Sequence, residues 1–213
     1  MLSLPPRRKP AGNPVISVLS AGTVLQRVHG THAADEFNWT AQPTALTGGR
    51  FDSLDGSFGY AYLAATASGA IAETVCRDLP LGGAGRQVPR AVLAGRRISS
   101  VSLARDLRVL ELHGADLTQV HAPLELTKCD AGQFVTTRRW AAALRTWVPD
   151  ADGFRYRCRH DEDEFAVVLF DDPPPRTRAH EALVALPGSL ALDSLAGLAL
   201  VLAVLHRHNA SIA

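Results

Sequence analysis

Cysteine is scarce in this chain and follows no pattern: Cys76, Cys129 and Cys158 are odd in number and widely spaced. Such a set supports neither a disulfide framework nor a paired-thiol zinc site, and a reducing cytoplasm is the expected compartment. Excess charge of one sign is missing too. The 22 Lys and Arg against 21 Asp and Glu leave a net charge of +1. That balance offers no electrostatic footprint for nucleic acid or an anionic membrane, so neither is expected as a partner. The only long apolar run, Leu195–Leu205, is interrupted by Gly197 and preceded by Asp193. It falls short of the ~20 residues that a membrane span requires. At the start, MLSLPPRRKPAGNP sets prolines where a secretory leader would need an apolar stretch, so residues 1–14 are expected to form a flexible or loosely docked arm.

What is present is an ordinary globular composition, with 46% hydrophobic and 20% charged residues over 213 positions. A chain of that length can bury a full core without staples, and residues 15–213 are expected to fold as one domain. Ile16–Leu19 and Thr23–Val28 read as strand, turn and strand around Ala21-Gly22. The polar and aromatic stretch Gly30–Gln42 reads as a long loop of the kind that covers a site. Tyr60–Ala64 reads as a strand. Thr66-Ala67-Ser68 then offers an N-cap to a helix with Ile71, Val75 and Leu79 spaced four apart. Further along, Ala91–Val101 is β-compatible, Leu107–Leu112 is a short strand, and Ala115–Val120 is a small helix. Val135–Trp147 is an amphipathic helix stopped by Pro149, and Phe154–Arg159 alternates like a strand. Phe165–Phe170 has the length of a buried strand, and residues 160–164 form a solvated turn before it. Ser189–His208 completes the chain as a helix, Asp193 near its start and His206, Arg207 and His208 at its end. Strands and helices mix without a regular βαβα rhythm, which predicts an α+β fold.

Four motifs carry chemistry. They are Arg27-Val28-His29-Gly30, then Gly48-Gly49-Arg50-Phe51, then Tyr60-Ala61-Tyr62-Leu63-Ala64 leading to Ala72-Glu73, and finally Asp152-Gly153-Phe154-Arg155-Tyr156-Arg157-Cys158-Arg159. Alone, each reads as an ordinary turn, strand end or surface charge. The glycine-rich Gly82-Gly83-Ala84-Gly85-Arg86 lacks the following helix of a phosphate-binding loop and reads as a flexible connection. His113, His121, Cys129 and Asp130 fit no standard zinc spacing, so no metal is expected.

In order and spacing, from about Leu25 to Asp172, the series resembles the RES domain family, named for shared Arg, Glu and Ser residues. The stretch GGRFDSLDGSFGYAYLAATASGAIAETV is the most specific part. The resemblance implies an ADP-ribosyltransferase-like mixed α/β core of small sheets with flanking helices around an NAD-binding cleft. It further implies a toxin of a toxin–antitoxin pair that breaks the nicotinamide–ribose bond of NAD. Phosphate or water is the acceptor, and a small antitoxin protein blocks the cleft. On matching positions Glu73 is the catalytic carboxylate, Arg27 the family arginine, and Arg50 and Tyr62 further NAD-binding positions. Cys158 stands where the family has serine, and is expected to line the same cleft. Transfer of ADP-ribose to a macromolecule and non-catalytic NAD binding are the alternatives, and a homo-oligomer is compatible with the Leu-rich tail.

These residue types suit that chemistry. Breaking an N-glycosidic bond develops positive charge on the ribose, which a carboxylate stabilises. Arginine's planar fork grips phosphate through two hydrogen bonds at once, and a tyrosine ring can stack on a base. Arg157 and Arg159 are candidates for approaching an attacking phosphate. Cys158, amid Arg155, Arg157, Arg159 and His160, is read as a replacement for the serine rather than as an activated nucleophile, because alternation puts residues 155, 157 and 159 on the opposite face.

Overall fold

A computed structural model describes residues 2–30, 32–83, 85–174, 179 and 181–213. Ten strands are present among them: β1 (Ile16–Leu19), β2 (Val24–His29), β3 (Gly59–Ala64), β4 (Gln87–Val88), β5 (Arg97–Leu103), β6 (Leu107–Glu111), β7 (Gly153–Arg157), β8 (Phe165–Asp171), β9 (Leu183–Ala191) and β10 (Ser211–Ile212). The helices are α1 (Ala67–Thr74), α2 (Asp116–Gln119), α3 (Glu125–Lys128), α4 (Phe134–Trp147) and α5 (Leu195–Arg207). Eight strands join in one sheet in the order β1-β6-β7-β8-β3-β2-β5-β9, and β10 pairs with β4 in a second. The architecture is the mixed α+β one that the sequence predicts.

Period-two alternation sorts the core. On β8, Ala166, Val168 and Phe170 face a cluster with Phe51, Trp140, Leu144, Phe154 and Tyr156. Val167 and Leu169 face the opposite cluster with Leu25, Leu63, Val101 and Val109. Both faces of β8 are covered, which is why FAVVLF can be apolar throughout. A third cluster packs α1 and α5 together through Ile71, Val75, Val201, Val204 and Leu205. The parallel neighbours β6 and β7 require a crossover connection, which residues 112–152 supply with α4.

Several local expectations shift. β1 and β2 are both strands but do not pair: β1 lies against β6, and β2 lies between β3 and β5. The helix that Thr66 caps, its hydroxyl accepting from the Gly69 N–H at 3.0 Å, stops at Thr74. Leu79 is buried with Val75 but lies outside the helix, because Pro80 turns the preceding residue away from helical backbone. Within the expected strand Ala91–Val101, Arg90–Leu93 is a 3-10 turn, and pairing starts only at Arg97 after Gly95 at φ +67°.

The largest correction concerns the C-terminal helix expected over 189–208. Ser189, Leu190 and Ala191 belong to β9, paired with Ser99, Ile98 and Arg97, and the helix begins after Ser194, which caps it through the Gly197 N–H. Leucines spaced for a helix also serve a strand, and the open edge of β5 decides between them. The expected solvated turn at 160–164 does link β7 to β8, but Asp161 inside it is buried and paired with Arg207. The N-terminal segment lays Leu2 in the main core, and the Trp140 indole donates to the Ser3 carbonyl. No described helix is long and apolar enough to cross a membrane.

Candidate functional site

A cleft of about 220 Å³ opens between α1, the Gly48–Asp52 loop, the inner ends of β2 and β3, and the start of α4. Val28, Gly49, Arg50, Tyr62, Glu73 and Phe134 are among its walls. A second cavity of about 180 Å³ contains Arg27, His29, Gly30 and His32, and shares Val28, Asn38, Tyr60 and Tyr62 with the first. Residues from three of the four sequence motifs thus line two neighbouring cavities with four residues in common.

Glu73 sits on the last turn of α1, where its 12% exposed side chain still reaches the cleft. Its carboxylate is held from two sides. The Arg159 backbone N–H donates to Oε1 at 2.6 Å, and the Tyr156 hydroxyl donates to Oε2 at 3.2 Å. Arg50 Nη1 meets the same Oε2 at 3.4 Å. The Arg50 guanidinium is almost wholly buried, 5.6 Å from the Phe134 ring centroid. Burial works against its charge, but the facing Glu73 carboxylate raises its pKa above the ordinary arginine value.

The loop carrying Arg50 is shaped by tyrosine and a buried arginine. The Tyr62 hydroxyl donates to Asp52 Oδ1 at 2.7 Å and accepts from the Phe51 N–H at 2.7 Å. Burial, followed by the Asp52 charge, pushes the Tyr62 pKa well up, so the hydroxyl stays protonated. Asp52 Oδ2 accepts from the Gly49 N–H at 2.6 Å. From α4, Arg138 donates to the carbonyls of Gly49 at 3.0 Å, Gln42 at 2.6 Å and Thr47 at 2.6 Å, and also to that of Thr44. A Cβ on Gly49 would stand 2.7 Å from the Tyr62 hydroxyl oxygen. Only glycine leaves room for this closure.

Arg27 is placed differently from Arg50. Its Nη1 donates to the carbonyls of Ala34 at 2.8 Å and Glu36 at 2.6 Å, so it holds the 32–37 segment beside the second cavity. Burial lowers its pKa to about 10, opposed by Asp35 and Glu36. Cys158 is not among the residues lining the cleft. It is wholly buried just beyond β7, its thiol directed at the Gly69 carbonyl at 3.8 Å. Burial raises its thiol pKa, and Glu73, Glu164 and Asp161 add to the effect. Its thiolate is therefore suppressed.

Arg157 lies over the Phe165 ring at 3.8 Å, away from the cleft. The Arg159 side chain turns back to the carbonyls of Lys128 and Arg77, so its contribution to Glu73 comes from the backbone. Sequence reasoning missed Phe134, Arg77, Arg138 and the role of Tyr156. Arg138 did leave a signal, a cation on the buried face of α4 beside Phe134, Thr137 and Ala141. Among the described residues, no group of three or more His, Cys, Asp or Glu converges as a metal site would require.

The RES domain family model matches residues 24–193, a span that includes every one of these cleft residues. The chain belongs to the RES domain family. No curated protein matches it. Among solved structures, this RES domain is similar to a chain in the crystal structure of the M. tuberculosis MbcT–MbcA toxin–antitoxin complex. The TM-score is 0.53 at 16% identity, over 81% of this chain and 85% of that one. At that identity the likeness is one of fold, and it agrees with the mixed sheet described above.

Proposed function

We propose that this RES domain degrades NAD by breaking its nicotinamide–ribose bond, with phosphate or water as acceptor, as the toxin of a toxin–antitoxin pair. The observation that carries the reading is the Glu73 carboxylate, fixed at both oxygens and facing a cleft walled by Arg50, Tyr62 and Phe134. The C–N bond breaks with its electron pair leaving on nicotinamide, and an oxygen of the acceptor closes on the ribose carbon, a water acceptor releasing one proton to solvent. Glu73 stabilises the positive charge that develops on the ribose between those events.

Phe134 and the Tyr62 ring supply flat surfaces for a base. Arg50 supplies positive charge beside the cleft. Arg27 acts on the dinucleotide at the second cavity, whose joint walls with the first let one extended ligand span both. Exposed Trp39 and Leu46 flank this region, Trp39 next to the lining residue Asn38 and Leu46 on the loop held by Arg138. An antitoxin protein covering the cleft would bury them.

The test is nicotinamide release from NAD by the pure protein, with and without phosphate. Wild type is expected to turn over and Glu73→Ala to lose at least a hundredfold in rate, roughly the scale of losing one transition-state charge partner. Equal inertness of both proteins overturns the enzyme reading. Dependence of the rate on phosphate identifies the acceptor.

A further inference from the structure

Beside Glu73, and not among the residues lining the main cleft, lies Tyr156 of β7. It is wholly buried, and a small pocket of about 10 Å³ beside it is also lined by Glu73, Tyr62 and Thr74, which line the main cleft as well. Its ring is wedged edge-on against Phe51, with centroids 5.2 Å apart. That makes the aromatic residue of the Gly-Gly-Arg-Phe motif the support of the tyrosine. Its hydroxyl donates to Glu73 Oε2 at 3.2 Å, and the Arg159 N–H three residues on takes Oε1 at 2.6 Å. Two donors spaced along one strand exit therefore grip the two oxygens of one carboxylate. Cys158, between them in sequence, turns instead to Gly69.

We infer that Tyr156 is a positioning residue: its hydroxyl, working with the Arg159 backbone, sets the orientation in which the Glu73 carboxylate meets substrate. The residue in the family's serine position does not perform that task here. The geometry leaves the hydroxyl one use. It touches no cleft surface lined by Arg50 or Phe134, and burial followed by the Glu73 charge keeps it protonated and donating. The charged and titratable groups facing Glu73 are Arg50 from the loop, Tyr156, Cys158 and His160 around the end of β7, and Cys76 just past α1. Among the described residues, only Arg50 and Tyr156 hydrogen-bond the carboxylate through their side chains. Both meet the same oxygen, Oε2, Tyr156 at 3.2 Å and Arg50, a cleft-lining residue, at 3.4 Å. Removing the hydroxyl leaves Arg50 as the remaining side-chain partner of Oε2, with the Arg159 N–H still on Oε1.

The kinetic arm of the test rests on the NAD-cleaving reading; the spectroscopic arm does not. Tyr156→Phe keeps the ring against Phe51 and deletes only the donor. On an active wild type, kcat is expected to fall about tenfold to a hundredfold, the range for a hydrogen bond to a charged group. KM is expected to stay within about twofold, since the residue acts in the turnover step rather than in binding. Independently of activity, the side-chain carboxyl carbon resonance of Glu73, assigned by its loss in Glu73→Gln, should move in Tyr156→Phe. In wild type the Tyr156 hydroxyl proton should give a slowly exchanging downfield signal that vanishes in Glu73→Ala, a measurement that does not need the tyrosine variant to fold. An unmoved carboxyl resonance, an absent hydroxyl signal, or unchanged kcat on an active wild type each overturn the inference. If wild type releases no nicotinamide, the enzyme reading falls while the two resonances still decide the role of Tyr156.

Discussion

Cys158 shows how far a single side chain can depart from its neighbours' apparent chemistry. Arg155, Arg157, Arg159 and His160 surround it in sequence, yet its pKa is raised, because burial and the carboxylates of Glu73, Glu164 and Asp161 dominate. Cys76 is pushed up to about 11, also mainly by burial, and Cys129 is raised for the same first reason. All three thiols are buried. Titration with a disulfide reagent near pH 8 should therefore find no reactive thiol within minutes in the native protein, and three after denaturation in guanidinium. One fast thiol in the native state would contradict this burial. At this scale the sequence offered Glu73 and Arg50 only through the family resemblance of their motifs, and the structure brings the two side chains to 3.4 Å in one cleft. The sequence could not place Cys158, whose direction depends on where β7 ends.

Among the elements, the Gly48–Asp52 loop is the most constrained. Gly48 holds φ +79°, a conformation that suits glycine. Gly49 is hemmed in by the Tyr62 hydroxyl at 2.7 Å and Asp52 Oδ1 at 2.9 Å from where a Cβ would stand. Gly49→Ala must displace one of these hydrogen-bonded, buried groups. We expect a cost of about 1–3 kcal/mol, seen as a lower denaturant midpoint at unchanged m-value. Nicotinamide release should fall as well, because Arg50 is the next residue. A midpoint equal to wild type would mean that the closure is not as tight as described. The motif's glycines were legible in the sequence; the partner that explains the second of them, Tyr62 thirteen residues on in β3, was not. Helix α4 gives the same lesson. Its amphipathic period was plain, but Arg138 on the buried stripe becomes intelligible only when four loop carbonyls are seen to surround its guanidinium.

Across the whole molecule, the chain's end is tied back near the site. Ser211 and Ile212 pair with Gln87 and Val88, the Arg86 guanidinium donates to the His208 carbonyl, and Arg86 Nη2 donates to His160 Nδ1 at 3.0 Å. His160 is consequently held neutral. Burial first, then the charges of Arg159 and Arg86, lower its pKa from 6.5 to about 4, and His208 is lowered as well, chiefly by burial. Between those two values the unfolded chain binds a proton at His160 that the folded chain refuses, so stability rises with pH across the window and is lost as pH falls from about 6.5 toward 4. Chemical denaturation at several pH values should show this slope, and His160→Gln should flatten it. An unchanged slope would place the effect elsewhere. The near-neutral total charge takes on a different meaning at this scale. It conceals buried cations, Arg27, Arg50 and Arg138, each hydrogen-bonded to carbonyls or a carboxylate within one region.

The sequence by itself determined the mixed α+β class, the family, the capped start of α1, the amphipathic α4 and the apolar β8. Those features are written in short-range spacing, where backbone preference and side-chain period act over a few residues. Only the tertiary structure decided that residues 189–191 are strand rather than helix, that β1 and β2 part company, that Cys158 turns from the cleft and that Tyr156 stands beside Glu73. Each of these depends on which sheet edge is open or which buried polar group still needs a partner, conditions set by segments distant in the chain.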